Sequence, residues 1–467
     1  MKRYFLFGFV LLFLVMLLSC GNNQVCVMKV GSQKVFVDEA LKLVRASHGI
    51  KKNGEVSRQD VEKFCRMLFA RQLYYLEEAK ELGIADADSV QEKILSEKKK
   101  ALTKVQGPLY EKIVADIKAP SGAELEDLYK KRLWLYQIQH ILLPSKALAD
   151  SVFLLLKGGQ KFADLVRRFS FDRRWGDEKG VWKDWFLYGT MGGDFDDTVL
   201  SLRPGFPSGP VHTRYGYHII RVLHKKPREE RPFQKVVKWV RATYFAMERT
   251  RAYFHYQNSL PQKYDFTFDP AAGHLIQSAY SEDAKGLPVL QKSVFTPEQM
   301  NMPLAKFKGG QLLIRDFVNH YVSQRSLLQP PLQRMDAIEE YAKKAAMVDL
   351  MYLDAVAMGL DQDPDFQNMT RQYRNNILIS QCRKALFQPF VITDEEIRQR
   401  YDADSTFHIE EFKDAAKWVR RAINTEKTNL EDQRQLQYLQ QKYPIEFCDK
   451  GIKKLVEEIN ASRETSR

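Results

Sequence analysis

The chain has 467 residues, 44% hydrophobic and 28% charged, with a formal net charge of +13. That balance buries a sizeable core beneath a well-charged surface, and the length suggests about three domains. Five cysteines and nine histidines have neither the spacing of a disulfide framework nor that of a metal site, so no metal and no cofactor is expected.

The first twenty residues read as an export address. Lys2 and Arg3 make a basic start, Tyr4 to Leu18 is an apolar run, and Leu17-Leu18-Ser19-Cys20 matches a lipobox. The run is shorter than the roughly 20 residues a membrane-spanning helix needs, and a small residue precedes the cysteine. Residues 1–19 are therefore expected to be a lipoprotein signal peptide, with Cys20 the lipidated first residue of the mature chain. Gly21-Asn22-Asn23 lacks the aspartate that marks inner-membrane retention in some bacteria, which points to the outer membrane, facing the periplasm. Removing Lys2 and Arg3 from +13 leaves +11, a basic surface suited to acidic clients or anionic lipid head groups. Export separates the chain from nucleic acid, so none is expected as a partner.

Downstream, Val35-Phe36-Val37 reads as a short strand. Tyr75 to Leu82 reads as an amphipathic helix stopped by Gly83. Ser121-Gly-Ala-Glu124 has the form of a capping box, which starts a short helix that reaches Tyr129.

From residue 134 the pattern changes. Gln139-His140-Ile-Leu-Leu143 and Thr213-Arg-Tyr-Gly-Tyr-His218-Ile-Ile220 are two strand-like segments. Between them come Gly158-Gly-Gln-Lys-Phe-Ala-Asp-Leu165, Phe169-Ser-Phe-Asp172, Gly189-Thr-Met191-Gly-Gly-Asp-Phe195, Leu202-Arg-Pro-Gly205 and Ser208-Gly-Pro-Val211. In this order the segments resemble a parvulin-type (PpiC, rotamase) peptidyl-prolyl isomerase domain over residues 134–226. The resemblance implies catalysis of cis/trans exchange at X–Pro bonds, with no cofactor. It also implies an apolar cup from Met191 and Phe195, a histidine pair His140 and His218, Asp172 beside them, and Thr213 in between. Without the flanking matches, His140 and His218 would read as core histidines, and Met191 and Phe195 as ordinary packing residues. The family usually has a glycine and leucine-containing segment where this chain reads Gly180-Val-Trp-Lys183-Asp184-Trp-Phe186. Lys183 falls where a leucine of the cup is expected, and a charge there must reach water.

The remainder repeats. Phe233 to Arg241, containing Trp239, returns as Phe412 to Arg420, containing Trp418. The offset from Phe233 to Phe412 is 179, and it is the same from Tyr264 to Tyr443. Met351 to Leu360 echoes Tyr75 to Ile84, Thr393 to Glu396 echoes Ser121 to Glu124, and Leu312 to Ile314 echoes Val35 to Val37. The two tryptophans are expected in equivalent buried positions. The closing strand of each copy is expected to pair with the strand that opens the same copy.

The expected organisation is α+β: mostly helical, duplicated chaperone modules with one inserted parvulin domain. Residues 20–133 plus 227–270 would form the first module, 134–226 the isomerase domain, and 271–467 a second module without an insert. This arrangement resembles the SurA/PrsA/PpiD-type foldases. It implies a lipid-anchored foldase of the cell envelope that binds unfolded exported proteins and isomerises their prolines. The alternatives are a non-enzymatic holdase with a degenerate parvulin domain, and a structural lipoprotein with one fixed partner. Tyr74, Tyr75, Tyr244, Phe254 and Tyr256 are candidates for either client-binding surface or helix core. Client identity and oligomeric state stay open.

Overall fold

A computed structural model describes residues 25–46, 55–324, 328–408 and 411–464. The signal segment and Cys20 lie outside the described residues. Among the described residues, no helix is long and apolar enough to cross a membrane.

Copy one begins with β1 (Cys26–Val30), β2 (Gln33–Phe36), α1 (Val37–Ala46), α2 (Arg58–Glu81), α3 (Asp88–Thr103), α4 (Pro108–Val114) and α5 (Gly122–Lys131). The inserted domain follows: β3 (Trp134–Leu143), α6 (Lys146–Lys157), α7 (Phe162–Phe169), β4 (Phe186–Leu187), α8 (Asp194–Ser201), β5 (Val211–Thr213) and β6 (Gly216–Pro227). Copy one closes with α9 (Phe233–Lys263), β7 (Thr267–Phe268) and α10 (Pro270–Ala279). A hairpin, β8 (Tyr280–Glu282) and β9 (Pro288–Leu290), and a short α11 (Pro297–Met300) link the copies. Copy two comprises β10 (Pro303–Phe307), β11 (Gly310–Leu313), α12 (Ile314–Ser323), α13 (Met335–Ala345), α14 (Met347–Ala357), α15 (Pro364–Leu386), α16 (Asp394–Ala403), α17 (Phe412–Lys442), β12 (Ile445–Phe447) and α18 (Asp449–Glu464). The fold is α+β.

The copies agree element by element. β1, β2 and α1 match β10, β11 and α12 in length and spacing, and α9 and α17 are both 31 residues long. Gly83 and Gly359 end corresponding helices in the left-handed region, φ 64° and 75°, where a side chain would be strained. Ser121 with Glu124, and Thr393 with Glu396, both form reciprocal capping boxes.

The tryptophans do not take buried positions. Trp239 and Trp418 are 43% and 51% exposed, while the next residues, Val240 and Val419, are fully buried. A helix buries one stripe, and here that stripe runs through the valines and turns both indoles outward.

Strand pairing also differs from the expectation. β12 pairs with β1, and β7 pairs with β10, so each closing strand joins the other copy's hairpin. The described residues of 1–97 and 369–467 form one compact unit, and Lys98–Asn368 forms the other. This grouping differs from a division at residue 270. β7 precedes β10 closely in the chain, so that pairing closes a short loop and loses little freedom. β12 then closes on β1 across nearly the whole chain.

A buried carboxylate anchors each exchange. In the first unit, Glu78 of α2 accepts hydrogen bonds from Lys442 Nζ (2.7 Å) and the Tyr443 hydroxyl (2.7 Å). In the second, Asp354 of α14 accepts from Lys263 Nζ (2.5 Å) and the Tyr264 and Tyr256 hydroxyls (both 2.8 Å). Glu78 and Asp354 are counterparts, as are the two Lys-Tyr pairs, so the same chemistry forms across the copies twice.

In the first unit, Cys26 is disulfide-bonded to Cys448, at a sequence separation of 422 and a Cα–Cα distance of 5.8 Å. The scatter of the cysteines concealed this link between β1 and the approach to α18. Cys65 and Cys382 are free and buried, and burial pushes both thiols up to about 12, leaving them poor nucleophiles. Tyr74 and Tyr75 belong to this unit's core, and Glu77 near them accepts from Ser32 and Gln33.

Candidate active site

The inserted domain is a four-stranded antiparallel sheet in the order β4-β3-β6-β5. Alternation along β3 and β6 sorts their side chains onto two faces. Ile141, Leu143 and Ile219 pack against α6 and α7, with Leu148, Val152, Phe162 and Leu165. Tyr136, Ile138, Ile220 and Val222 face the other way, into a core with Trp182, Phe186, Phe195 and Val199. His140 and His218 fall on this second face. The register sets Leu142 opposite His218 and Ile220 opposite His140, so the histidines are diagonal neighbours, and both are fully buried.

A single polar chain runs through them. His140 Nε2 lies 2.9 Å from Asp172 Oδ2, His140 Nδ1 lies 3.1 Å from His218 Nδ1, and His218 Nε2 lies 2.9 Å from Thr213 Oγ1. The donors can be assigned from the carboxylate outward. Asp172 accepts from His140 Nε2–H, and His140 then accepts at Nδ1 from His218 Nδ1–H. His218 then accepts at Nε2 from the Thr213 hydroxyl, which in turn accepts from the Tyr215 N–H at 3.1 Å. Burial, then the adjacent His140, holds His218 well below the ordinary imidazole range, in keeping with a neutral His218 ring. Burial alone would raise the Asp172 carboxyl, but the hydrogen bond from His140 and the N–H groups of Arg174 and Gly176 outweigh it and hold it below the usual range.

The segment between α7 and β4 builds one wall. Asp172 accepts the N–H groups of Arg174 (2.8 Å), Trp175 (3.1 Å) and Gly176 (2.7 Å). The segment then crosses β3, where His140 N–H donates to Gly180 O at 2.9 Å. Gly180 has φ 82°, and a Cβ there would strike the His140 carbonyl, so this crossing requires glycine. Trp182 N–H donates to Ile138 O (3.0 Å) and Lys183 N–H to Trp175 O (3.1 Å). In this extended stretch Trp182 turns inward and Lys183 outward. Lys183 is exposed, so the charge reaches water and the cup wall is Trp182 instead. The Trp182 ring stacks on Trp175 and on Phe195, both at 5.7 Å, and meets His140 edge-on at 5.5 Å.

Met191 and Phe195 supply the other wall. Phe195 on α8 is fully buried, with its ring edge-on to His218 at 5.0 Å, and Met191 packs on the same cluster. Asp196, which sequence reasoning did not select, holds the Met191 loop. Its carboxylate accepts the N–H groups of Gly189 (2.6 Å), Gly192 (3.1 Å) and Met191 (3.2 Å). Burial nevertheless pushes that carboxyl up to about 6, against the three N–H groups. An acid just inside a helix start, behind a glycine pair, was the available signal. Nothing in the sequence marks Trp182, because Lys183 stands where the leucine of the cup is expected.

The structure thus brings His140, Asp172, Met191, Phe195, Thr213 and His218 into one site. Both nitrogens of each histidine are engaged. Among the described residues, no group of three or more His, Cys, Asp or Glu side chains is arranged to hold a metal ion.

An antiparallel sheet with helices packed on both faces and a buried histidine pair beneath an apolar cup is the arrangement of a rotamase-type domain. The family "Rotamase: PPIC-type PPIASE domain" matches residues 143–224, so the chain contains a PPIC-type rotamase domain. His140 lies just ahead of the match. The chain is similar to the foldase protein PrsA of Geobacillus sp. (strain WCH70), at 36% identity over 121 residues, 26% of this chain and 42% of that protein. It is 35% identical over 128 residues to the foldase protein PrsA 2 of Listeria monocytogenes serovar 1/2a, 27% of this chain and 42% of that one. It therefore spans less than half the length of these relatives. The crystal structure of the peptidylprolyl isomerase PrsA from Bacillus anthracis aligns over 45% of this chain and 86% of that one, at 22% identity and a TM-score of 0.23.

Proposed function

We propose that the protein is a lipid-anchored foldase of the cell envelope, which binds unfolded exported proteins and catalyses cis/trans exchange at their X–Pro bonds. The observation that carries this reading is the fully engaged His140–His218 network beneath the cup of Met191, Phe195 and Trp182. Rotation of an X–Pro bond faces a barrier of about 18–20 kcal/mol because amide resonance favours the planar forms. A catalyst needs no nucleophile or proton transfer. It must take the bond out of water and hold the twisted form better than the planar one. In this reading the cup grips the proline ring. The polar chain from Asp172 to Thr213 keeps the floor rigid and leaves no loose donor to stabilise the planar amide.

The test is exchange of several X–Pro peptides by the purified full chain. The expected result is a rate well above background. Met191→Ala should lower kcat/KM about tenfold, which is what losing roughly 1.4 kcal/mol of apolar contact during the twist would give. His140→Ala should lower activity through the support of the site, since its ring bridges Asp172 and His218. If no peptide exchanges faster than background, catalysis is rejected and the binding-only chaperone becomes the better reading. That second reading draws on a cavity of about 740 Å³, lined in part by Tyr215, Tyr217, Phe254, Tyr341, Met347 and Met351, which is roomy and aromatic enough for an unfolded segment.

The envelope address rests on the lipobox. Cys20→Ser should move the protein from the membrane fraction to the soluble fraction, because two acyl chains anchor stably where none or one does not. Retention after a high-salt wash would count against lipidation at Cys20.

A further inference from the structure

The mouth of the cup opens into a cavity of about 160 Å³. Met191 to Asp194 and His212 to Tyr215 of the isomerase domain form one wall, and α9 between Arg249 and Gln257 forms the facing wall, with Tyr110 of α4 beside it. A peptide gripped at its proline therefore has its neighbouring residues between the cup and α9.

The charge of this vestibule is uneven. Its lining holds three arginines and one acid, Asp194, which is exposed. Arg251 is neutralised by Asp197 and Glu248, each at 2.7 Å. Arg214 and Arg249 have no carboxylate partner among the described residues. Arg214 Nη2 donates to the Tyr215 hydroxyl at 2.6 Å, and its guanidinium lies 4.8 Å from the centre of the same ring. Tyr215 in turn packs edge-on against Trp175 at 4.8 Å. The aromatic stack of the cup thus positions the Arg214 charge at the rim, with other donors left for a ligand. Arg249 approaches from α9, its guanidinium 5.9 Å from the Phe245 ring.

We infer that this vestibule selects client segments carrying an acidic side chain next to the isomerised proline, the carboxylate pairing with Arg214 and Arg249. The inference rests on the isomerase reading and names its substrate class. Arginine suits the task because its planar fork binds a carboxylate through two hydrogen bonds. Both arginines are exposed, so the preference is modest, about three- to tenfold, and shrinks with salt.

The test uses the full chain and a peptide series with Glu, Ala or Lys immediately before or after proline. The expected order of kcat/KM is Glu, then Ala, then Lys, on at least one side of the proline. In Arg214→Gln/Arg249→Gln the ratio of the Glu to the Ala peptide should fall towards one, and Arg249→Glu should shift preference towards Lys. Affinities of the same peptides are read in parallel from Trp175 and Trp182 fluorescence. Loss of all exchange with acid preference retained in binding would reject the isomerase reading and support the vestibule. Equal affinity for the Glu and Lys peptides, or a preference unchanged in the double variant, overturns the inference.

Discussion

Replacing Asp354 with asparagine should destabilise its unit by about 3 kcal/mol. The carboxylate is fully buried and takes three donors, Lys263 Nζ and the hydroxyls of Tyr256 and Tyr264. Removing one partner of a buried pair leaves the others desolvated without compensation, which typically costs about 3–5 kcal/mol. The lower end applies because the Lys263 side chain is 53% exposed and can return to water. Burial by itself would raise the Asp354 carboxyl, but the hydrogen bonds from Lys263, Tyr256 and Tyr264 hold it below the ordinary range. Its contribution is therefore present above the unfolded carboxylate value of about 3.9 and is lost as pH falls through the depressed folded value. Urea unfolding at pH 7 should show the full deficit of Asp354→Asn, and the gap to the native chain should narrow in acid. Glu78→Gln should also destabilise the other unit at pH 7, because it takes the Lys442 ammonium and the Tyr443 hydroxyl in the same way. A variant as stable as the native chain at pH 7 would mean that the carboxylate does not hold the exchanged strand.

How far the sequence foretold this architecture depends on what each signal encodes. Phe233 and Phe412, or Ser121 and Thr393, reveal which segments are alike, because similar residues at a constant offset build similar helices. They cannot reveal which copy pairs with which. Glu78 could meet Lys263-Tyr264 as readily as Lys442-Tyr443, since the two pairs are chemically the same. The choice depends on how the connections let the strands meet, with β7 lying close to β10 in the chain and β12 far from β1, and no local motif records a connection. The link between Cys26 and Cys448 is hidden for the same reason, because it joins an opening strand of copy one to a closing segment of copy two.

The candidate site lay closer to the surface of the sequence. His140, Asp172, Met191, Phe195, Thr213 and His218 sit in short motifs whose order is set by two long neighbouring strands. What could not be read was orientation. Trp182 and Lys183 are adjacent, and a one-residue alternation decides which of them enters the cup. Asp196 was overlooked because its role is to accept backbone N–H groups, and backbone groups leave no trace in a string of side chains.

Asp172→Ala should be the most damaging single substitution in the isomerase domain. The side chain accepts from His140 Nε2–H and from the N–H groups of Arg174, Trp175 and Gly176. Each buried donor left without a partner costs about 1–3 kcal/mol, and the four are too close to add independently. A total of about 3–4 kcal/mol is expected. The consequence for function is larger than for stability. The segment anchored by Asp172 carries Trp175 and Trp182, which face Phe195 and His140 across the cup. A shift of about 1 Å there would lower the rate about a hundredfold, the usual effect of misplacing a preorganised site. Asp172→Asn keeps one acceptor oxygen but turns an amide NH₂ towards backbone donors, so it should fall between the native chain and the alanine variant. The sign of the pH dependence follows from the depressed carboxyl. Its stabilisation is present above about 3.9 and fades as pH falls through the folded value, so the melting temperatures of the native chain and Asp172→Ala should converge in acid and separate at neutral pH. An alanine variant that melts with the native chain at pH 7 and exchanges proline peptides at the native rate would show that neither the histidine floor nor the tryptophan wall depends on this carboxylate.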